Sequence, residues 1–189
     1  MISQQPKQIA DPQALRALAH PIRLKLLELL TVQGPATGRT LANLTGESTA
    51  SVSYHVGQLV KWGLVEPAVD LRSGRERPWR ATSRGITWTA TGDGSPEFAA
   101  ASRALREQFI TRAVAALDRF QRHEDEFEVT WREAAWLGQD LGYLDPAELT
   151  EATERIKAVI AEYTDPARPR SEGARQVAFF GYAVPTLEA

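Results

Sequence analysis

No cysteine occurs among the 189 residues. Disulfides, thiolate metal sites and a cysteine nucleophile are therefore excluded. The absence fits a reducing compartment, and a cytoplasmic location is expected. Histidine is scarce, with only His20, His55 and His123. No apolar run approaches the roughly 18–20 residues that a membrane-spanning helix needs. The N-terminus, MISQQPKQIADPQ, lacks the charged-then-apolar layout of an export signal. No membrane partner is expected. A GxSxG elbow, a P-loop and a glycine-rich dinucleotide turn are also missing. The chain is expected not to be an enzyme and to carry no cofactor.

Acid is short in one half of the chain. From Met1 to Ala90 there are 11 Lys and Arg against 6 Asp and Glu, a balance of +5. From Thr91 to Ala189 the count is 11 against 18, a balance of −7, and the two halves recover the net −2. Affinity for nucleic acid comes largely from positive charge meeting phosphate. A DNA surface therefore belongs on the first half.

Asp11-Pro12 pairs an N-cap acceptor with a proline at the first helical position, and Leu15, Leu18 and Ala19 give that helix one apolar face. His20-Pro21 breaks it and opens a second helix carrying Ile22, Leu26, Leu29 and Leu30. A third, short helix covers Thr37 to Leu44, with Leu41 and Leu44 inward. After the turn Thr45-Gly46, a fourth runs from about Ser48 to Trp62, and Gly63 is placed to be its left-handed C-cap. Leu64-Val65 starts a strand, DLRSGRERP (Asp70–Pro78) forms a polar tip, and Trp79–Thr82 returns. Residues Met1–Ala10 read as frayed and Ser83–Ser95 as a linker.

The fourth helix carries the chemistry. Val52, Val56 and Leu59 fall on one side of the helical wheel and must face a core. Ala50, Ser51, Tyr54, Gln58 and Lys61 fall on the other half. Small residues at the helix start let the backbone approach base edges; Ser, Tyr and Gln can read donors and acceptors, and Lys61 can meet phosphate. An ordinary solvated face would carry Glu/Lys pairs, yet no acid follows Glu47 in this helix. Thr49 and Ser53 flank the face and can reach phosphate. His55 lies at the edge of the buried stripe, beside Trp62, where a hydrogen bond to the preceding helix or to a phosphate fits better than base reading. Arg72, Arg75 and Arg77 on the hairpin tip suit backbone or minor-groove contact.

LRALAHPIRLKLLELL (Leu15–Leu30), SVSYHVGQLVKWGLV (Ser51–Val65) and the basic hairpin tip together resemble the ArsR-like winged-helix regulators. The resemblance covers about Gln13 to Arg84. It implies a prokaryotic homodimer that binds operator DNA, often as a repressor released by an effector. Carried over, it makes Thr40–Leu44 the support of the recognition helix, puts Ser51, Ser53, Tyr54 and His55 at the DNA surface, and makes Arg72–Arg77 the wing. Metal sensors of this kind place Cys, His or acidic ligands in the third helix or a C-terminal one. Here the third helix reads TLANLTG, and His123-Glu124-Asp125-Glu126 reads as a solvated connector, so no metal is expected.

In the second half, Phe98, Leu105, Phe109, Ala113, Ala116 and Phe120 average close to 3.6 residues apart, which predicts a long amphipathic helix over Pro96–Gln121. Val129–Leu144 is ambiguous. Asp145-Pro146-Ala147-Glu148 is a capping-box helix start, with Leu149, Ala152, Ile156, Val159, Ile160 and Tyr163 as its apolar face. QVAFFGYAV (Gln176–Val184) reads as a strand buried on both sides. The aromatic residues of this half suit a core and dimer interface; the alternative is a small-molecule pocket.

The expected architecture is mainly α with small β. A winged helix-turn-helix DNA-binding domain covers residues 1–90, and a C-terminal α+β dimerisation or effector domain covers 91–189. The expected partners are an operator duplex and a second copy, with a small-molecule effector admitted as a third. The competing reading is a winged helix used for protein–protein contact without DNA.

Overall fold

Local chemistry sets the helix boundaries in the computed structural model, which describes residues 5–71, 77–89, 91–165 and 167–186. Asp11 accepts from the Gln13 backbone N–H at 2.7 Å and opens α1 (Pro12–Leu18). Pro21 opens α2 (Pro21–Val32). Thr37 caps α3 (Gly38–Thr45) through Thr40, and Gly46 ends it with φ +75°. Ser48 caps α4 (Thr49–Lys61), its Oγ accepting from the Ser51 N–H at 3.1 Å. Each cap satisfies a backbone donor that the helix cannot satisfy itself.

Four short strands complete this region: β1 (Lys7–Gln8), β2 (Val65–Pro67), β3 (Trp79–Ala81) and β4 (Ile86–Thr87). The hairpin β2–β3 is antiparallel, with Val65 opposite Ala81 and Pro67 opposite Trp79. Trp79 also exchanges two backbone bonds with Ala36, at 2.8 and 2.9 Å, which ties the hairpin to the loop before α3. Two expectations are corrected here. The N-terminal residues do not fray throughout: β1 pairs in parallel with β4, and Ile9 is buried. For the same reason 83–95 is not a bare linker, since it contains β4.

The core joins Leu15 and Leu18 of α1, Leu26 and Leu30 of α2, Leu41 of α3, and Val52, Val56 and Leu59 of α4. Leu64, Val65 and Ala81 from the hairpin close it, with Phe98, Ala101 and Leu105 from α5 (Pro96–Arg122). Leu44, expected inward, is 44% exposed, because α3 is only two turns long and Leu41 already fills its inward position.

By packing, the chain divides into two units, Met1–Ala116 and Leu117–Ala189. The second contains α6 (Val129–Ala134) and α7 (Pro146–Tyr163). α7 has the full capping box: Asp145 accepts from the Ala147 and Glu148 N–H groups, and Glu148 accepts from the Asp145 N–H at 2.8 Å. The strand expected at Gln176–Val184 is not formed. No strand occurs among the described residues of this unit, and Val177, Phe179, Phe180 and Tyr182 are exposed. The β-forming composition is present, but no neighbouring strand supplies the ladder it would need.

Candidate nucleic-acid interface

The buried stripe of α4 fixes which side of it faces out. Val52, Val56 and Leu59 are at most 1% exposed, so they anchor the helix to α1, α2 and α3. Thr49, Ala50, Ser53, Tyr54, Gly57 and Lys61 are exposed on the other side. No acid lies among them. Lys61 also reaches back over the Trp62 ring, its Nζ 5.1 Å from the centroid.

Two residues assigned to this face sit differently. Ser51 is half-buried, and its hydroxyl donates to Glu47 Oε2 at 2.8 Å. Gln58 is half-buried beside the core stripe. The open face is thus turned toward Thr49 and Ser53, which the wheel had placed on its flank. The wheel shows angles but not the neighbours that cover each edge.

His55 is 9% exposed. Its Nδ1 accepts from Arg23 Nε at 3.4 Å, and Arg23 Nη1 donates to the Ala17 carbonyl at 2.8 Å. The His20 ring lies 4.6 Å from it, and the Tyr54 ring meets it edge-on at 5.1 Å. Burial lowers the His55 pKa, and the nearby His20 and Arg23 lower it further. Burial likewise lowers that of His20, with Arg23 adding to the effect and Glu47 opposing it. His55 therefore links α4 to the α1–α2 corner and does not offer its ring to a groove. Sequence reading left His55 a bond to the preceding helix or to phosphate; its partner, Arg23, lies on α2, two helices back, and the tilted His20 ring beside it was missed. The signal was there in HPIR: one turn of helix separates His20 from Arg23 and puts both at the same corner.

The hairpin is braced by Arg80. Its Nε donates to Glu66 Oε1 at 2.8 Å across the strand pair, and its Nη1 to Asp70 Oδ1 at 2.7 Å. These contacts tie both acids of the hairpin's near end to one guanidinium, which offsets half of their charge. Arg77 is exposed at the foot of β3. Arg72 and Arg75 lie outside the described residues.

Among the described residues no three His, Asp or Glu side chains gather as metal ligands. His123 Nδ1 lies 2.7 Å from Glu126 Oε1, one turn on in the same exposed connector. No described helix is long and apolar enough to cross a membrane.

Residues 18–68 match the family model of a helix-turn-helix domain. That span covers all of α2, α3 and α4, and ends in the hairpin. No curated protein matches the chain. Among solved structures, the chain is 31% identical to a possible transcriptional regulator for arsenical resistance, covering 55% of this chain and 94% of that one (TM-score 0.33). It is 25% identical to a homodimeric winged helix-turn-helix DNA-binding domain from Mycobacterium bovis, a possible ArsR-family transcriptional regulator, over 60% of this chain and 86% of that one (TM-score 0.34). It is 17% identical to the adhesin competence repressor AdcR from Streptococcus pyogenes, over 76% and 80% (TM-score 0.33). Superpositions at these scores carry no weight. The sequence identity that spans nearly all of the first relative does. By this mark the chain belongs to the ArsR-like winged helix-turn-helix transcriptional regulators.

Proposed function

We propose that this protein is a sequence-specific transcriptional regulator that acts as a repressor, binding a palindromic operator as a homodimer. The observation that carries the reading is the division of α4. One side is wholly buried, and the other presents hydroxyls, a phenol, bare backbone and a lysine, with no carboxylate. Such a face enters a major groove without repelling phosphate.

In this reading Thr49, Ala50, Ser53 and Tyr54 lie along the base edges. Ser51 and Gln58 reach bases once their local contacts open. Lys61 and the wing arginines Arg72, Arg75 and Arg77 hold phosphate. His55 acts through position, not through a base. Residues 1–90 serve as the DNA-binding domain and 91–189 as the dimerisation or effector domain. One recognition helix reads only a few base pairs, and a two-fold pair doubles that readout. The exposed apolar residues of α5 (Ile110 and Val114) and α7 (Ile156, Val159 and Tyr163) are the surfaces proposed to meet the second copy. A dimer covering both half-sites would block a promoter, and a small-molecule effector acting on the second domain would release it. The work of such a protein is in the cytoplasm, with the chromosome.

Selection of bound fragments from randomly sheared genomic DNA tests the proposal. The expected result is a shared motif with two-fold symmetry and affinity that falls steeply with salt. Fragments with no common motif, bound with salt-insensitive affinity, would overturn it.

A further inference from the structure

The last turn of any helix leaves carbonyls without intrahelical donors. At the end of α4 two are satisfied locally: the Gly63 N–H bonds the Val60 carbonyl at 2.8 Å, and the Leu64 N–H bonds the Leu59 carbonyl at 2.9 Å. The Trp62 and Gly63 carbonyls still point outward. Their donor comes from the far end of the chain. Lys7 Nζ lies 2.9 Å from the Trp62 carbonyl and 2.7 Å from that of Gly63. Thr82 Oγ1 adds a third bond, to Gly63, at 2.8 Å. A cation here also meets the negative end of the helix dipole.

Glycine suits this point by its backbone, and a side chain here would also displace the lysine. Gly63 has φ +61°, and a Cβ built on it would sit 2.8 Å from the Lys7 ammonium. The lysine is delivered by β1, whose pairing with β4 is fixed by Lys7 N–H to the Gly85 carbonyl at 2.9 Å and Ile9 N–H to the Thr87 carbonyl at 2.8 Å. One residue beyond β4, Trp88 donates from Nε1 to Ser102 Oγ on α5 at 2.9 Å and stacks on Phe109. A pair of two-residue strands has little stability of its own. Its product is a lysine held on the end of the reading helix by a strand that also touches the approach to α5.

We propose that Lys7 is a positioning residue for DNA reading, and that β1 is a strap fixing the C-terminal end of α4 against the segment that leads into α5. This rests on the DNA-reading role of α4. The ammonium group acts on carbonyls of its own chain and contacts no phosphate. Removing it lets the far end of α4 shift, which misplaces Tyr54 and Lys61 against the groove while the buried stripe keeps the helix folded.

The test uses the full chain, a fragment recovered by genomic selection and an unrelated duplex of equal length. Affinities are measured over a salt series for wild type, Lys7→Met and Lys7→Arg, with a thermal melt of each. Lys7→Met is expected to weaken binding to the selected fragment about threefold to tenfold. It should leave affinity for the unrelated duplex within about twofold, and the slope of log affinity against log salt unchanged. Lys7→Arg, which still offers donors to the carbonyls, should recover most of the loss. A slope reduced by about one would mean that Lys7 touches phosphate itself, which overturns the proposal. Unchanged affinity of folded Lys7→Met protein overturns it too, by reducing the strap to a stability element. A wild-type chain that prefers neither duplex overturns the DNA reading beneath it, and that failure is seen without any variant.

Discussion

The two packing units differ in what they bury. In the first, Leu15, Leu18, Leu26, Leu30, Leu41, Val52, Leu59 and Phe98 are all wholly enclosed. In the second, no described residue is buried, and Trp136, Tyr143, Ile156, Val159 and Phe179 all stand at least half open. Both contain a helix with a side-chain N-cap, so that local signal does not separate them. The difference lies in the number of apolar faces that converge. α1, α2, α3, α4, the hairpin and the start of α5 each offer one face to a shared centre. α7 offers a face and finds no equal opposite it within its own unit. A sequence can specify a helix completely and still leave its apolar side for another molecule to cover.

The largest expected effect tests that contrast directly. Leu59→Ala removes a fully enclosed side chain and should cost about 2–5 kcal/mol of stability in denaturant melts. Ile156→Ala, at a site 53% exposed, should change the melt of dilute protein by less than about 0.5 kcal/mol and act instead on self-association. Equal costs at the two sites would mean that the second unit has a closed core in solution.

Within the first unit, Tyr54→Ala should reduce discrimination between operator and unrelated duplex by about 1–3 kcal/mol, read from paired affinity titrations. Arg77→Ala should weaken both duplexes alike and lower the salt slope by about one. If the two patterns were exchanged, the division between base readers and phosphate anchors would be wrong.

Gly57 separates folding from function at one position. It sits mid-helix on the open face, and a Cβ there would meet nothing within 4 Å. Gly57→Ala should therefore raise stability by about 0.5–1 kcal/mol, while adding bulk where the backbone approaches DNA and lowering operator affinity. A gain in both would show that α4 does not come close to its partner there.

The smallest effect concerns pH. The His20 and His55 pKa values lie below the ordinary value near 6.5, so the fold favours the neutral rings. Their contribution to stability is fully present above pH 6.5 and is lost as the pH falls toward the lowered folded values. His55→Gln should flatten that part of the stability profile between about pH 5 and 7. An unchanged profile would remove the pair from the account.

Much of the first unit was legible because its signals are local. Asp11-Pro12, His20-Pro21, Thr45-Gly46 and Gly63 are each read within a few residues and mark real boundaries. What escaped depends on contacts between distant residues. β1 is two residues long, and its partner lies some eighty positions away. The Arg23–His55 bond follows from how α2 packs on α4, and the partial burial of Gln58 is likewise not set by periodicity alone. Gln176–Val184 shows the converse: strand-forming residues do not make a strand without a neighbour.

The central claim is that α4 enters the major groove, once from each subunit of a dimer. Methylation interference at guanine N7 on a selected operator reads that groove directly. The account predicts two patches of interference about one helical turn apart, both weakened by Tyr54→Ala. Undiminished binding to DNA methylated at every guanine N7, with interference only from adenine N3 in the minor groove, would contradict it.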